Sequence, residues 1–168
     1  KDTKLSDLKN FRQLGSKAAG HPEYNHFLGT DITTGPLGEG ISSAVGMALA
    51  EKIISARYGD DVCNHKTYCL LGDGCLMEGV ASEAIALAGH LKLNKLIAVW
   101  DDNQITIDGK TDIASSTDIK AWFKANKWDV ISVDGHDFAQ IEEALTQAQK
   151  ATKPTLIAAR TTIGRGAP

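Results

Sequence analysis

Residues 68–107 read YCLLGDGCLMEGVASEAIALAGHLKLNKLIAVWDDNQITI and contain two short apolar runs that each end in a polar turn. The first run is Tyr68–Leu71 and the second is Leu96–Trp100. Short apolar runs bounded by glycine or by acidic turns are typical of buried strands in a parallel sheet. Residues 76–91 lie between the runs and carry apolar side chains at helical spacing. The segment therefore predicts strand, turn, helix and strand, which is a βαβ unit.

Oxygen-bearing side chains follow both predicted strands. Asp73 lies in the turn Gly72-Asp73-Gly74, and Asn103 lies in the turn Asp101-Asp102-Asn103. Because the carboxyl ends of parallel strands meet at one edge of a sheet, we expect Asp73 and Asn103 to lie close together. Carboxylate and amide oxygens suit Mg²⁺ or Ca²⁺, and glycines beside a helix start suit a phosphate. The pair indicates a site for a metal and a diphosphate, whereas each tripeptide alone is more typical of a tight turn or a polar loop.

Several strings in the sequence resemble one enzyme family. Gly72-Asp73-Gly74, followed about thirty residues later by Asp102-Asn103, resembles the thiamine diphosphate motif, and the longer strings around both resemble transketolases in particular. The matching strings, in the order of the family, are GHPE at 20–23, TTGPLGEG at 33–40, LGDGCLMEG at 71–79, DDNQITIDG at 101–109 and TTIG at 161–164. The resemblance extends from Phe11 to Gly164.

The resemblance implies an α/β fold of the thiamine diphosphate-binding type, with a mostly parallel sheet sandwiched by helices. The 168 residues and the 42% hydrophobic content agree with one domain that has its own core. Compared with transketolases, residues 1–168 are expected to form a single diphosphate- and magnesium-binding domain. They are expected to lack the family's N-terminal beginning and its downstream pyrimidine-binding and C-terminal domains.

The resemblance also implies the ligands of the metal and of the diphosphate. Asp73, Asn103 and the backbone carbonyl of Ile105 are expected to hold Mg²⁺, with Ca²⁺ or Mn²⁺ as substitutes. Asp73 and Asn103 are thereby also cofactor-binding residues, because the metal bridges them to the diphosphate. The amide of Gly74 is expected to bind a phosphate oxygen, and Ile107 is expected to contact the cofactor.

A glycine-rich segment at residues 33–40 has two interpretations from its composition. The ring of Pro36 fixes φ while Gly35 and Gly38 stay free, which presents the backbone at Leu37 to a flat ligand; alternatively, the segment is only the entry to a helix. The resemblance favours the first interpretation. It implies that the main chain of Gly35 and Leu37 contacts the aminopyrimidine ring and that Pro36 belongs to the same cofactor-binding segment. The Leu37 side chain is expected to keep the cofactor bent.

Two further side chains receive a catalytic role from the resemblance. A lone histidine is more often a surface residue than a catalytic one, but His21 corresponds to a family histidine that lines the substrate channel and bonds a donor hydroxyl. Glu78 is either a favourable charge near a helix start or part of a proton network. The matching glutamate in transketolases meets the catalytic glutamate of the equivalent subunit across a homodimer interface. That activating glutamate belongs to the second domain of the family and is not expected in this chain.

The implied activity is Mg²⁺- and thiamine diphosphate-dependent transfer of a two-carbon ketol unit from a ketose phosphate to an aldose phosphate, in the pentose phosphate pathway. Residues 1–168 alone are expected to be inactive. Two alternatives remain. One is another thiamine diphosphate enzyme, such as dihydroxyacetone synthase, 1-deoxyxylulose phosphate synthase or the N-terminal subunit of a split transketolase. The other is a non-catalytic relative that serves as an interaction module.

Charge and cysteine content restrict the other partners. The 18 basic and 21 acidic residues are interspersed and give a formal net charge of −3, which predicts neither a nucleic-acid-binding stripe nor a cationic membrane helix. No apolar run reaches the roughly twenty residues that span a bilayer. Cys63, Cys69 and Cys75 form no Cys-x-x-Cys pair, which is typical of a reducing compartment. We therefore expect a cytoplasmic protein without nucleic-acid or membrane partners.

The rest of the chain alternates helices with strands. A short amphipathic helix is predicted from Leu5 to Leu14, followed by a loop to Thr34. Residues Ile41–Tyr58 predict a long helix with small side chains on one face, which is typical of close packing. Later predicted elements are a helix that starts within 115–118, a strand at 128–133, a helix at 137–151 and a strand at 155–160.

Overall fold

The computed structural model describes residues 3–21, 23–26, 29–107 and 109–167. Pro22 and Asp108, which belong to two of the matching strings, lie outside the described residues. The chain divides into two compact units, Lys1–Pro36 and Leu37–Pro168. The prediction of a single domain over residues 1–168 stays a prediction.

The first unit contains a short helix followed by turns. Helix α1 spans Leu5–Lys9, so it ends earlier than the predicted position at Leu14. The backbone N–H of Arg12 donates to the carbonyl of Ala18 at 2.8 Å, which turns the chain instead of extending the helix. The described residues of 20–34 form turns and bends without a helix or strand, as the sequence predicted.

The second unit is built around a parallel sheet. Its described strands are β1 (Thr67–Gly72), β2 (Leu96–Asp102), β3 (Ile105–Thr106), β4 (Gly109–Lys110), β5 (Asp129–Asp134) and β6 (Thr155–Arg160). Strands β1, β2, β6 and β5 lie in this order and pair in parallel, while β3 and β4 form a separate antiparallel pair. The βαβ unit is therefore present, with β1 and β2 side by side.

Helices cover both faces of the parallel sheet. They are α2 (Glu39–Tyr58), α3 (Asp73–Leu76), α4 (Gly79–His90), α5 (Ile119–Ala125) and α6 (Phe138–Ala148), with a 3₁₀ turn at Thr111–Ile113. A buried cluster under α2 and α4 includes Ile41, Ile85 and Leu156, whereas α6 packs over Ile97 and Ile157. Because Leu156 and Ile157 are neighbours on one strand, these two clusters lie on opposite faces. The predicted α/β fold, a mostly parallel sheet between helices, is confirmed.

Strand β1 is buried on one face only. Cys69 and Leu71 are buried in the cluster under α2, whereas Tyr68 is half-exposed and Leu70 is 82% exposed. Successive side chains of a strand point to opposite faces, and α6 contacts β5 and β6 on the face that Leu70 shares. The prediction of a buried strand therefore holds for one face of β1.

The predicted helix over residues 76–91 is wrong as a single element. Helix α3 already begins at Asp73 and ends at Leu76, and α4 begins at Gly79. Between them, Glu78 has an extended backbone with φ −80° and ψ 138°, which interrupts the helical hydrogen bonds. The turn after Asp73 is thus itself helical.

Only part of the apolar spacing in residues 76–91 corresponds to buried side chains of α4. Ala81, Ile85 and Ala88 are buried, whereas Val80 and Leu87 are about half-exposed. Small side chains are buried here because neighbouring backbone approaches closely; a Cβ on Gly89 would lie 1.7 Å from the backbone oxygen of Asn126. Packing distance, rather than hydrophobicity alone, selects this face.

The remaining elements agree with the predictions to within a few residues. Helix α5 begins at Ile119, and its N-cap is Asp118, whose carboxylate accepts a hydrogen bond from the backbone N–H of Ala121 at 3.0 Å. The N-cap therefore lies at the end of the predicted range 115–118. No helix within the described ranges is long and apolar enough to cross a membrane.

Candidate functional site

Asp73 is the first residue of α3, directly after the carboxyl end of β1, and is 8% exposed. Its Oδ1 accepts a hydrogen bond from the indole Nε1–H of Trp100 at 3.3 Å. Its Oδ2 accepts a hydrogen bond from the backbone N–H of Gln104 at 3.2 Å. Because a carboxylate has about four lone-pair positions, two positions remain for a further ligand.

Burial raises the pKa of Asp73 above its ordinary value of 3.8, and the carboxylates of Asp102 and Asp101 raise it further. The hydrogen bonds from Trp100 and Gln104 act in the opposite direction. The charged form is thus poorly solvated and lies among like charges. A cation bound at this carboxylate would stabilise the charged form.

The side chain of Asn103 is held by its neighbours in the same loop. Its Nδ2 donates to Oδ2 of Asp101 at 2.9 Å, and its Oδ1 accepts the backbone N–H of Ile105 at 2.9 Å. The hydroxyl of Thr161 donates in turn to Oδ1 of Asp101. The amide oxygen of Asn103 keeps one lone pair for another partner.

The register of the sheet brings Asp73 and the Asn103 loop to the same edge. Gly72 pairs with Asp101, so both chains leave the sheet at the same level. The N–H that contacts Asp73 belongs to Gln104, the residue next to Asn103. The structure thus brings the two predicted metal-binding segments into direct contact.

A short hairpin follows Asn103. Ile105 pairs with Lys110 and Thr106 pairs with Gly109. Gln104 and Ile107 have left-handed backbones, with φ of 61° and 53°. This conformation costs a non-glycine residue about 1–2 kcal/mol and is rare for a β-branched side chain. The hairpin holds Ile107 fully exposed, where its side chain is available to a ligand.

Leu37 lies directly over the turn after Asp73. A Cβ on Gly74 would lie 3.1 Å from Cδ1 of Leu37, which is itself half-exposed. The next residue, Gly38, has φ of 85°, and a Cβ there would lie 2.9 Å from side-chain carbons of both Glu78 and Val80. Gly38 is therefore favoured by both its backbone conformation and close approach, and Leu37 and Gly74 form one surface.

Glu78 lies at the N-cap position of α4 and is partly buried. Its backbone carbonyl accepts hydrogen bonds from the N–H and the hydroxyl of Ser82, at 3.2 Å and 3.4 Å. Its side chain makes no capping hydrogen bond to α4. The carboxylate of Glu78 therefore does not cap α4.

His21 and Gly35 meet within the first unit. A Cβ on Gly35 would lie 3.4 Å from Nδ1 of His21, so the imidazole ring packs against the glycine backbone. His21 is exposed, as is Pro36. The predicted substrate-orienting histidine and the predicted ring-binding glycine are therefore neighbours.

A cavity of about 830 Å³ opens beside Asp73 in the second unit. Its lining includes Trp100, Asp102, Gln104 and Arg160. Asp102 is buried and forms an ion pair with Arg160, with Oδ1 and Nη1 3.1 Å apart. Sequence reasoning gave none of these residues a side-chain role. Three of them could have been found from their position, since Trp100, Asp102 and Arg160 lie at the carboxyl ends of neighbouring strands.

The candidate metal ligands are of mixed type. The described residues hold no group of three or more His, Cys, Asp and Glu side chains that could bind a metal. The predicted set of one carboxylate, one amide oxygen and one backbone carbonyl suits Mg²⁺, which usually keeps several ligands from water and substrate phosphate. The donor chemistry of the edge therefore fits a diphosphate-bound Mg²⁺.

Comparison with known proteins gives one consistent result. A family model described as transketolase, thiamine diphosphate binding domain, matches residues 1–168. The transketolase of Sinorhizobium medicae is 57% identical over 166 residues, which cover 99% of this chain and 24% of the relative. The transketolase of Cereibacter sphaeroides is 54% identical over 167 residues, which cover 99% of this chain and 25% of the relative.

Solved structures agree with these relatives. The crystal structure of transketolase from Campylobacter jejuni has a TM-score of 0.90 at 50% identity, and covers 98% of this chain and 26% of that chain. A transketolase mutant from Pichia stipitis in complex with fructose-6-phosphate has a TM-score of 0.90 at 50% identity, covering 98% of this chain and 25% of that chain. The chain spans about a quarter of the length of the curated relatives it matches.

Proposed function

The chain belongs to the transketolase family, as its thiamine diphosphate-binding domain, and we propose that the protein transfers a two-carbon ketol unit from a ketose phosphate to an aldose phosphate. Relatives named transketolase, at 57% and 54% identity, favour this activity over that of dihydroxyacetone synthase or 1-deoxyxylulose phosphate synthase. Because the chain spans a quarter of those relatives, the activity is proposed for the whole protein.

One observation carries the proposal. Asp73, a buried carboxylate with unused lone pairs, is hydrogen-bonded to the loop that contains Asn103, at the carboxyl edge of a parallel sheet. Ligands of α/β sheets bind at this edge. The same turn carries Gly74, whose missing side chain leaves its backbone free to approach an anion.

Asp73, Asn103 and the carbonyl of Ile105 are the proposed ligands of Mg²⁺, with Ca²⁺ or Mn²⁺ as substitutes. The amide of Gly74 is proposed to bind the diphosphate. The raised pKa of Asp73 supports this assignment, because a bound cation offsets the repulsion from Asp102 and the loss of solvation.

The cofactor ring is proposed to bind the segment Gly35-Pro36-Leu37. The side chain of Leu37, which lies over Gly74, would hold the two ends of the cofactor at a fixed angle. Ile107, fully exposed on its hairpin, would supply an apolar contact to the same ligand.

When bound, thiamine diphosphate supplies the carbanion chemistry that breaks and forms the carbon–carbon bonds. The protein supplies position: His21, which packs against Gly35, would orient the donor sugar through a hydroxyl group. The relative solved with fructose-6-phosphate supports sugar phosphates as substrates. The pentose phosphate pathway is the proposed setting of the reaction.

The proposed active form is a homodimer. Glu78 has a carboxylate that its own helix does not use for capping, and this supports a role in a proton network that crosses to a second copy. The activating glutamate is proposed to lie in a pyrimidine-binding domain outside residues 1–168. Cys63, Cys69 and Cys75 are free thiols, which supports a cytoplasmic location.

Cofactor titration of the full-length protein tests the proposal. Asp73→Asn keeps the size of the side chain and removes its charge. We expect this variant to weaken Mg²⁺-dependent thiamine diphosphate binding by at least about 100-fold, more than outer-shell changes usually do. Calorimetric titration with and without Mg²⁺ measures this loss, and ketol transfer should fall in parallel.

Asp129→Asn is the matched control. Asp129 is a partly exposed aspartate at the start of β5, the strand at the other side of the sheet, and it pairs with Lys153 at 3.6 Å. Its loss should leave the titration unchanged. Equal cofactor binding by wild type and Asp73→Asn would refute the metal assignment, and binding without ketol transfer in the wild type would favour a non-catalytic relative.

A further inference from the structure

Trp100 places a hydrogen-bond donor on the proposed metal-binding carboxylate from inside the core. The indole is 5% exposed, and its Nε1–H points to Oδ1 of Asp73. Trp100 pairs with Leu71 on one side and with Ala158 on the other. A buried side chain on a central strand packs closely against its neighbours and has little rotational freedom, so the N–H is fixed in place.

The second donor to Asp73 comes from a strained loop. Gln104, whose backbone N–H contacts Oδ2, has φ of 61°. Each carboxylate oxygen therefore has one protein donor. Rotation of the carboxylate would break at least one of these bonds, so Trp100 and Gln104 together fix the direction of the remaining lone pairs.

We propose that Trp100 is a positioning residue for the metal site: its indole N–H fixes the Asp73 carboxylate in the orientation that binds a divalent cation. Trp100 thereby sets cation affinity without contacting the cation. This inference rests on the proposed function, because it assumes that Asp73 binds the metal. Donors that orient a metal ligand typically change metal affinity by about 10–100-fold when removed.

A purely structural role of the Trp100–Asp73 hydrogen bond would have a different consequence for cation binding. A buried indole N–H needs an acceptor, and Asp73 would then serve only to satisfy Trp100. In that case removal of the N–H would change folding stability and leave cation affinity unchanged. The two roles therefore differ in a measurable quantity.

The test uses Trp100→Phe in the full-length protein, because phenylalanine keeps an aromatic ring and removes the N–H donor. Trp128→Phe is the matched control: Trp128 is also buried, and its Nε1–H donates to the carbonyl of Ile85 at 2.9 Å, away from Asp73. Mg²⁺ dissociation constants are measured by calorimetry at saturating thiamine diphosphate. Unfolding midpoints are measured for both variants.

Trp100→Phe is expected to weaken Mg²⁺ binding by about tenfold, and Trp128→Phe is expected to leave it unchanged. Equal Mg²⁺ affinity in Trp100→Phe and wild type, or the same loss in both tryptophan variants, would overturn the inference. If Asp73→Asn weakens Mg²⁺ binding and Trp100→Phe does not, the positioning role fails while the proposed function stands. If neither variant weakens it, the metal site itself fails.

Tryptophan emission of the unmutated protein gives a second readout that does not depend on folding of Trp100→Phe. Mg²⁺ with thiamine diphosphate should change the emission in the wild type, because a cation at Asp73 would add a positive charge beside the acceptor of the Trp100 N–H. Asp73→Asn should show no such change at the same Mg²⁺ concentration. Unaltered wild-type emission at Mg²⁺ saturation would contradict the inference.

Discussion

The ionised Asp73 carboxylate is unfavourable in the folded protein without a cation. Its raised pKa means that ionisation costs folding free energy. The cost is absent below the ordinary value of 3.8, where Asp73 is protonated in both states, and is complete once the pH exceeds the raised value. The free energy of unfolding of the metal-free protein should therefore fall as the pH rises and Asp73 ionises.

Urea unfolding of wild type and Asp73→Asn between pH 4 and 7, in the presence of a chelator, measures this effect. Since asparagine does not titrate, the stability of the wild type relative to Asp73→Asn should fall as the pH rises. Mg²⁺ with thiamine diphosphate should restore the stability of the wild type and leave that of Asp73→Asn unchanged. A stability difference that stays constant or grows with pH in the metal-free proteins would contradict the assigned environment of Asp73.

Replacement of Gly74 by alanine is predicted to weaken cofactor binding without lowering folding stability. An alanine Cβ would lie 3.1 Å from Leu37 Cδ1 and would displace that side chain from the proposed cofactor surface. Alanine is favoured over glycine within a helix by roughly 0.5–1 kcal/mol, so Gly74→Ala should be at least as stable as wild type. It should nevertheless bind thiamine diphosphate several-fold more weakly.

Gly72→Ala is the control for this prediction, because a Cβ on Gly72 meets nothing within 4 Å. Its cofactor affinity should match that of the wild type. Both affinities are measured by the same calorimetric titration at saturating Mg²⁺. Unchanged binding in Gly74→Ala would show that Leu37 does not shape the site.

The contact between α4 and the end of α5 depends on a single glycine. A Cβ on Gly89 would collide with the backbone oxygen of Asn126, and backbone cannot rotate away as a side chain can. We expect Gly89→Ala to lower the free energy of unfolding by about 1–3 kcal/mol, the usual cost of overpacking. Gly46→Ala in α2, where a Cβ meets nothing within 4 Å, should instead be neutral or stabilising. Chemical unfolding of both variants checks the contrast, and equal stabilities would disprove it.

Local patterns predicted the strands and most helices because burial repeats with a fixed period along the chain. They missed the interruption at Glu78, since nothing in its residue type excludes a helix. The exposure of Val80 and Leu87 on α4 was missed for a related reason. Alanine and glycine are weak signals of burial in a sequence, yet close backbone contacts require them.

Local sequence features likewise predict some residues of the candidate site but not the contacts between them. Asp73 and Asn103 follow from strand ends and turn residues, which are local features. The hydrogen bond between Trp100 and Asp73 joins residues 27 positions apart and depends on the register of β1 against β2. No pattern within either strand specifies that register to a single residue.

Apolar side chains remain exposed in both units. They include Leu8, Phe11 and Leu14 in the first unit and Leu70 in the second. Exposed apolar groups of this size usually mark contacts with another part of a protein or with another chain. The proposed homodimer is one such contact.

Sedimentation of the full-length protein tests the proposed homodimer. We expect a dimer at micromolar concentration, with ketol transfer that depends on Glu78. Glu78→Gln should keep the dimer and lower the activity, because the amide preserves size and removes the shared proton. A monomer with full activity would contradict the role of Glu78 and the homodimer together.

A crystal structure of the full-length protein with Mg²⁺ and thiamine diphosphate would be the decisive measurement. We expect a cation about 2.0–2.1 Å from oxygens of Asp73, Asn103 and Ile105, with a diphosphate oxygen at the Gly74 amide. A cation bound by Asp101 or Asp102 instead, or a diphosphate bound away from this edge of the sheet, would contradict this expectation.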